Sequence, residues 1–395
     1  MKHWGTLLLL PGLLLAQPEF FGYFESEAST LQIGTSNYNY GFNKFRLDVE
    51  ARPNDHILIG ANLTAQQYWG QTTWNMLDFI PEEIWSPYFF PDPLSSSSYF
   101  DPTFPITIPD TLFLDNVYMK VSLSNLDITI GRQQISNGVG YAWNPTDIFN
   151  FKSLLDPSYE QTGIEGLRFD YPLAYTASVS VFIQPEQEWE RSAKQGWLKV
   201  NLGSFDLELT KASHIWGHPT FFSGPYLQRR SLLGASVVGE ILGFGTWFEG
   251  SSFQTDDPLA TGGDEEWQEY LVGLDYTFEN SLYILGEYLH NDLGVAKKSD
   301  LTLWDYLGAL DGSSHSLMQD YAFFYAMHPT FDYVTLSAIA FANFNDNSGA
   351  FSPIVDWNIF QDTNLSLQGS FFWGDDNTEF GLQDWGLILN ATSSF

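Results

Sequence analysis

The stretch Lys44-Phe-Arg-Leu-Asp-Val-Glu-Ala51 decides the fold. Phe45, Leu47, Val49 and Ala51 fall on one face of an extended chain, and Lys44, Arg46, Asp48 and Glu50 fall on the other. This is the alternation of a β-strand with one apolar side, because successive side chains of a strand point in opposite directions. The pattern recurs along the chain. Val117, Met119, Val121 and Leu123 oppose Tyr118, Lys120 and Ser122. Tyr175, Ala177, Val179, Val181 and Ile183 oppose Thr176, Ser178 and Ser180. Leu198, Val200 and Leu202 oppose Lys199 and Asn201, and Phe205, Leu207 and Leu209 oppose Asp206, Glu208 and Thr210. No window of similar length sustains a helical period of 3.6.

The connections alternate in length. Short turns are expected at 53–55, 124–125, 171–173, 203–204, 242–243, 279–280, 329–330 and 362–363. Longer polar stretches lie between them at 34–42, 70–111, 136–162, 185–194, 215–228, 255–266, 292–316, 345–350 and 374–378. Together they imply about 18 strands, with 16 as the second reading. Short turns on one side and long loops on the other describe a transmembrane barrel, all-β, antiparallel and up-and-down, with short periplasmic turns and long extracellular loops. Aromatics near the strand ends, among them Tyr171, Tyr175, Trp267, Tyr276, Phe278, Trp357 and Phe360, suit interfacial girdles. Counting back by twos from Phe395 reaches Ala391, Leu389, Leu387 and Trp385, so the last strand alternates and ends in Phe. That ending resembles the signal read by the barrel assembly machinery, an expected partner along with outer-membrane lipid and lipopolysaccharide.

Composition agrees. The chain has 395 residues, is 17% aromatic and only 16% charged, and carries 16 basic against 48 acidic residues, a net charge of −32. Nucleic acid is excluded as a partner, since phosphate neutralisation needs clustered Lys and Arg. The absence of cysteine removes disulfides, thiolate metal sites and thiol catalysis. Residues 1–16 read as a signal peptide: Lys2 precedes the apolar runs Leu7–Leu10 and Leu13–Leu15, with Ala16 before cleavage. The barrel then occupies 17–395. Two other architectures share much of this pattern: a closed structural or adhesive surface barrel, and a secreted soluble sugar-binding β protein.

Residues 126–150 carry a further signal: Leu126-Asp-Ile-Thr-Ile-Gly131-Arg132-Gln133, then a glycine-rich loop through Trp143 to Asn144-Pro-Thr-Asp147, with Gly163-Ile-Glu-Gly-Leu-Arg168 following. The segment resembles a group of outer-membrane β-barrels, the alginate-export porins and their uncharacterised relatives. It departs from them at Asn137, where a Trp follows the Ile-Ser pair. The resemblance implies an 18-stranded passive channel and identifies no substrate.

The charges locate a candidate pore. Parity places Lys44, Arg46, Lys120, Arg168, Lys199 and Arg230 on the lumen face of the N-terminal half, and Glu269, Asp275, Asp320, Asp356 and Asp384 on that of the C-terminal half. Arg132 follows Ile128 and Ile130 outward by strict parity, and a bulge at Gly131 turns it into the lumen. Such walls tune solute passage, and the same residues equally suit internal pairing with Asp48, Glu50, Asp170 and Glu240. Loop 70–111 is long and aromatic, with Trp74, Trp85 and Tyr88, and is expected to constrict the lumen or cover its mouth; Trp143 and Asp147 of the second long loop are candidates for the same constriction. No cofactor is expected. Weak Ca²⁺ or Mg²⁺ binding is open to the acidic loops at Asp256-Asp257, Asp264-Glu265-Glu266 and Asp375-Asp376. His214 and His218 are four apart but outside any HExxH frame, and no nucleophile motif occurs, so no enzyme is expected. The expected function is passive diffusion of small polar solutes, with anionic and saccharide solutes as candidates. Oligomeric state is not legible.

Overall fold

The computed structural model describes residues 17–89, 103–150, 162–218, 226–256, 265–310 and 314–395. The signal segment 1–16 lies outside them, as do 90–102 of the first long loop, 151–161 of the second, and the acidic stretch 257–264.

The first strands are β1 (Glu19–Ile33), β2 (Ser36–Asn54), β3 (Ile57–Gly70), β4 (Thr73–Asn75), β5 (Pro105–Thr107), β6 (Thr111–Leu123) and β7 (Leu126–Gln133). Then follow β8 (Ile164–Ala174), β9 (Ala177–Gln184), β10 (Ala193–Leu202), β11 (Phe205–His218), β12 (Tyr226–Ile241), β13 (Phe244–Asp256) and β14 (Glu265–Thr277). The last are β15 (Tyr283–Asn291), β16 (Asp320–Phe331), β17 (Val334–Asn343), β18 (Ser348–Phe360), β19 (Thr363–Trp373) and β20 (Gln383–Ser394). Two short helices, α1 (Glu82–Phe89) and α2 (Leu303–Leu310), lie in the long connections.

All strands except the small β4–β5 pair join one 18-stranded antiparallel sheet in sequence order, and β1 pairs with both β2 and β20. The sheet is closed, so each of its 18 strands pairs on both sides and no strand edge faces the hydrocarbon of a bilayer. The terminal residue completes the seam: the Phe395 amide donates to the Gly22 carbonyl at 3.0 Å, and the Phe395 carbonyl accepts from the Gly22 amide at 3.1 Å. Its ring stacks on Phe45.

The barrel is inside out compared with a soluble domain. Phe45, Leu209, Leu233, Val272, Phe324, Leu367 and Leu389 lie exposed on the outer wall. Their inward neighbours Lys44, Glu208, Leu232, Leu271, Phe323 and Gln368 are buried. An exposed apolar belt on a closed barrel is a lipid-facing surface.

Three boundaries differ from expectation. The stretch 34–42 holds only a two-residue turn at Gly34-Thr35, and the polar run from Ser36 to Tyr40 continues as strand β2. The turns expected at 171–173 and 329–330 fall instead at 175–176 and 332–333. Pro172 and Pro329 stay within strands, each at a register shift, where the missing N–H breaks no regular ladder.

Candidate functional site

The lumen is partitioned by the loop that follows β7. It turns inward, and two carboxylates from the opposite wall hold its backbone. Glu249 on β13 is completely buried and accepts from the amides of Val139 and Thr146, both at 2.7 Å, and from Thr146 Oγ1 at 2.8 Å. Glu287 on β15 accepts from the amides of Tyr141 and Ala142 at 2.5 and 2.6 Å, and from Trp247 Nε1 at 2.7 Å. A carboxylate has about four lone-pair sites and so serves as a dock for converging N–H groups. Gly138 has φ +92°, and a Cβ there would sit 2.7 Å from both Glu249 oxygens. Glycine is what lets the chain pass over the carboxylate.

Side chains fix the same loop. Trp143 packs on Tyr321, Phe323 and Phe341, inner-face residues of β16 and β17, at ring separations of 5.9, 6.4 and 5.8 Å. Tyr141 lies beside Trp247, the fourth residue of β13, so the loop reaches well below the extracellular rim. Asp147 is buried and organises the loop itself, accepting from the amides of Asn137, Phe149 and Asn150. Burial pushes its carboxyl up from the ordinary value, and these hydrogen bonds oppose that shift. It is a turn-former and lines no passage, contrary to the expected constriction role.

The first long loop divides its aromatics. Trp74 stacks on Phe79 and meets Tyr38 and Tyr40 of β2. Trp85 joins a large apolar cluster built from Ile80, Ala142, Leu289, Leu307, Met318 and their neighbours. Tyr88 meets Trp304 of α2, ring to ring at 6.3 Å. The loop docked on the inner wall is residues 138–147, while segment 76–89 packs with α2 against the inner wall of the C-terminal strands and residues 90–102 of the first long loop lie outside the described residues. Trp74 holds the loop's stem against the extension of β2.

The basic arc is on the inner wall, and it is neutralised there. Lys44 is buried with Glu25 at 3.9 Å. Arg46 lies 2.8 Å from Asp48 and 3.8 Å from Asp115. Lys120 pairs with Asp127 at 2.6 Å, Arg168 with Asp170 at 2.9 Å, and Lys199 with Glu208 at 3.0 Å. Arg230 is buried between the rings of Trp216, Phe253 and Trp267, with centroids 4.2, 4.9 and 5.0 Å from its guanidinium. It therefore faces no open passage.

The acidic wall needs more correction. Glu269 points inward but is buried, accepting from Trp267 Nε1 at 3.1 Å and lying 2.6 Å from His315 Nδ1. Asp275 is on the inner face and accepts from Tyr283 at 2.9 Å. Asp356 shares the inner face with Thr335 and Ser366. Asp320 is on the outer face: its register partner is His290, and it binds His290 Nδ1 at 2.8 Å and Tyr288 Oη at 2.5 Å. Parity counted within 320–331 slips at the strand start, because Tyr321, Phe323 and Tyr325 are the inward residues. Arg132 is outside too. Register runs unbroken through Gly131, so no bulge turns the arginine, and it reaches Glu165 at 3.6 Å and the Leu114 carbonyl at 3.1 Å. Gly131 still has φ +117°, and a Cβ there would lie 2.2 Å from the Val117 carbonyl oxygen. The irregularity lies next door on β6, where Asp115 is the extra residue and turns inward with Asn116.

Below the inner loop is a cavity of about 570 Å³ lined by Gly138, Val139, Ser178, Lys199, Glu208 and Ser236. Of the acidic loops, Asp375 lies 3.8 Å from Lys298, and residues 257–264 fall outside the described residues. The loop anchors Glu249 and Glu287 were missed in the sequence. Parity marks both as inward carboxylates, and only the fold shows that the second long loop lies across from them.

A closed 18-stranded barrel with a lipid-facing belt and a loop folded into its lumen has the fold of an outer-membrane β-barrel. No family model matches the chain, and no curated protein matches it. Solved structures do share its fold. OccK8 (OprE) of Pseudomonas aeruginosa superposes with a TM-score of 0.58 at 9% identity, covering 96% of this chain and 99% of that one. OccK9 (OpdG) of the same organism gives 0.58 at 10%, covering 96% and 98%, and OccAB1 of Acinetobacter baumannii gives 0.56 at 10%, covering 96% and 97%.

Proposed function

We propose that this protein is a passive outer-membrane channel for small polar solutes, with residues 138–147 as its constriction. The observation that carries this is the docking of that loop on Glu249 and Glu287 inside the lumen, above a cavity walled by Lys199, Glu208 and Ser236. A purely structural barrel needs no inner loop held by buried carboxylates. Because each basic group of the inner arc has an acidic or aromatic partner, the wall favours no strong anion binding. Acidic groups of the inner wall without a described basic partner, including Asp275 and Asp356, give a weak preference for cations and admit neutral solutes such as saccharides. The likeness of residues 126–168 to the alginate-export group supports a channel and leaves the solute to experiment. Single-channel recording in planar bilayers tests the proposal. Discrete conductance steps with weak cation selectivity are expected; a folded barrel that never conducts refutes it.

A further inference from the structure

The outer wall carries three basic residues that the pore does not use. Lys194 on β10, Lys211 on β11 and Arg229 on β12 all point outward, on three adjacent strands. Lys194 is the register partner of Ser213, Ser213 of Ser231, and Leu233 of Lys211. The inward neighbours Ala212 and Leu232 are buried, whereas Leu233 is 64% exposed, which fixes the faces. Arg229 lies two residues from Ser231, and its Nη1 donates to Ser213 Oγ at 2.8 Å. Lys194 Nζ lies 4.2 Å from the centre of the exposed Trp189 ring. Directly opposite residues in such a sheet are about 5 Å apart and diagonal ones about 7–8 Å, so the three cations gather around Ser213.

Their setting differs from that of the inner-wall basics. The inner-wall basics Lys44, Arg46, Lys120, Arg168 and Lys199 each pair with a carboxylate, yet none of these three makes an ion pair with a described side chain. The register does place Asp256 opposite Arg229, and Glu186, Glu188 and Glu190 occupy the next loop. Toward the short turns the same face becomes apolar, through Leu198, Leu209 and Leu233. The trio therefore stands where the apolar belt ends on the long-loop side. Elsewhere that rim carries acidic groups, namely Glu266, Asp292 and Asp320.

We propose that Lys194, Lys211 and Arg229 form a docking site for a phosphorylated lipid of the outer leaflet. The phosphate sits among the three cations and the Ser213 and Ser231 hydroxyls, and an acyl chain lies along Leu198, Leu209 and Leu233. Charged groups at the headgroup level beside an apolar face fit an anionic amphiphile rather than a free ion. The site is independent of conduction.

The test uses the full barrel in phosphatidylcholine vesicles, with and without diphosphorylated lipid A, and measures the lipid A retained after extraction. Wild type is expected to retain it, and Lys194→Gln/Lys211→Gln/Arg229→Gln to bind it on the order of 100-fold more weakly, from about a fivefold loss per cation. The charge-conserving Lys194→Arg/Lys211→Arg/Arg229→Lys variant is expected to retain it. Dephosphorylated lipid A is expected not to be held, and inorganic phosphate at equal concentration not to displace the lipid. Equal retention by wild type and the Gln variant, or of lipid A with and without phosphate, overturns the proposal. Complete displacement by inorganic phosphate overturns the lipid as ligand. Should the Gln variant not form a heat-modifiable barrel, the two forms of lipid A on wild type alone decide.

Discussion

Replacing Glu249 by Ala removes hydrogen bonds that tie the inner loop to the wall, among them those from the Val139 amide, the Thr146 amide and the Thr146 hydroxyl. A hydrogen bond to a charged group contributes about 1.5–3 kcal/mol. Several such bonds on one carboxylate are not additive, and relief of the buried charge's desolvation offsets part of the loss. A net loss of about 3 kcal/mol in loop docking remains, which raises the undocked fraction on the order of 100-fold. Glu287 keeps its hold on Tyr141 and Ala142, so the loop is expected to swing from that anchor rather than leave the lumen. In planar bilayers Glu249→Ala is expected to give higher mean conductance with added current noise, and faster proteolysis within 137–147. Glu249→Gln should resemble it, because an amide group turns donors toward donors. Unchanged conductance, noise and proteolysis in both variants would refute the loop as the constriction.

Four further outcomes follow from the same geometry. Arg at outward Leu47, Val121, Leu198 or Leu209 near the bilayer midplane should cost about 2–4 kcal/mol in a denaturant titration, and Arg at inward Asn201 far less; equal costs on both faces would contradict the parity. Replacing Arg46, Lys120, Arg168 and Lys199 by Gln frees Asp48, Asp127, Asp170 and Glu208, so the reversal potential in a salt gradient should move toward cations, more at low salt. Glu379, in the loop before β20, accepts from Tyr321 Oη at 2.6 Å and Asn343 Nδ2 at 2.8 Å, and burial lifts its carboxyl from 4.5 to about 7. Its proton is held more tightly in the folded state, so stability is fully present below pH 4.5 and falls by at most about 3 kcal/mol as pH rises through 7; hydrogen-exchange protection in 374–382, taken relative to the intrinsic rate at each pH, should fall from pH 5 to 8 in wild type and not in Glu379→Gln. Gly131→Ala forces a Cβ against the Val117 carbonyl at a positive φ, and heat-modifiable gels should show less folded barrel.

The amino-acid sequence by itself determined the architecture. Alternation at 44–51, 117–123 and 205–210, with the sorting of short turns from long loops, is local information, since a strand's two faces are written in neighbouring residues. That was enough for strand number, closure and the lipid face. Where local rules bent, the reading slipped by a residue or a face. The outward start of β16 carried Asp320 outside, and unbroken register left Arg132 there too. Tertiary structure alone decided which loop enters the lumen. Glu249 is 110 residues from Val139, and Glu287 is 146 from Tyr141. Nothing near residues 138–147 reveals that two carboxylates wait across the barrel. Likewise, Lys194, Lys211 and Arg229 are scattered in sequence and become one patch only when three strands lie side by side, because closing the sheet converts distance along the chain into adjacency on its wall.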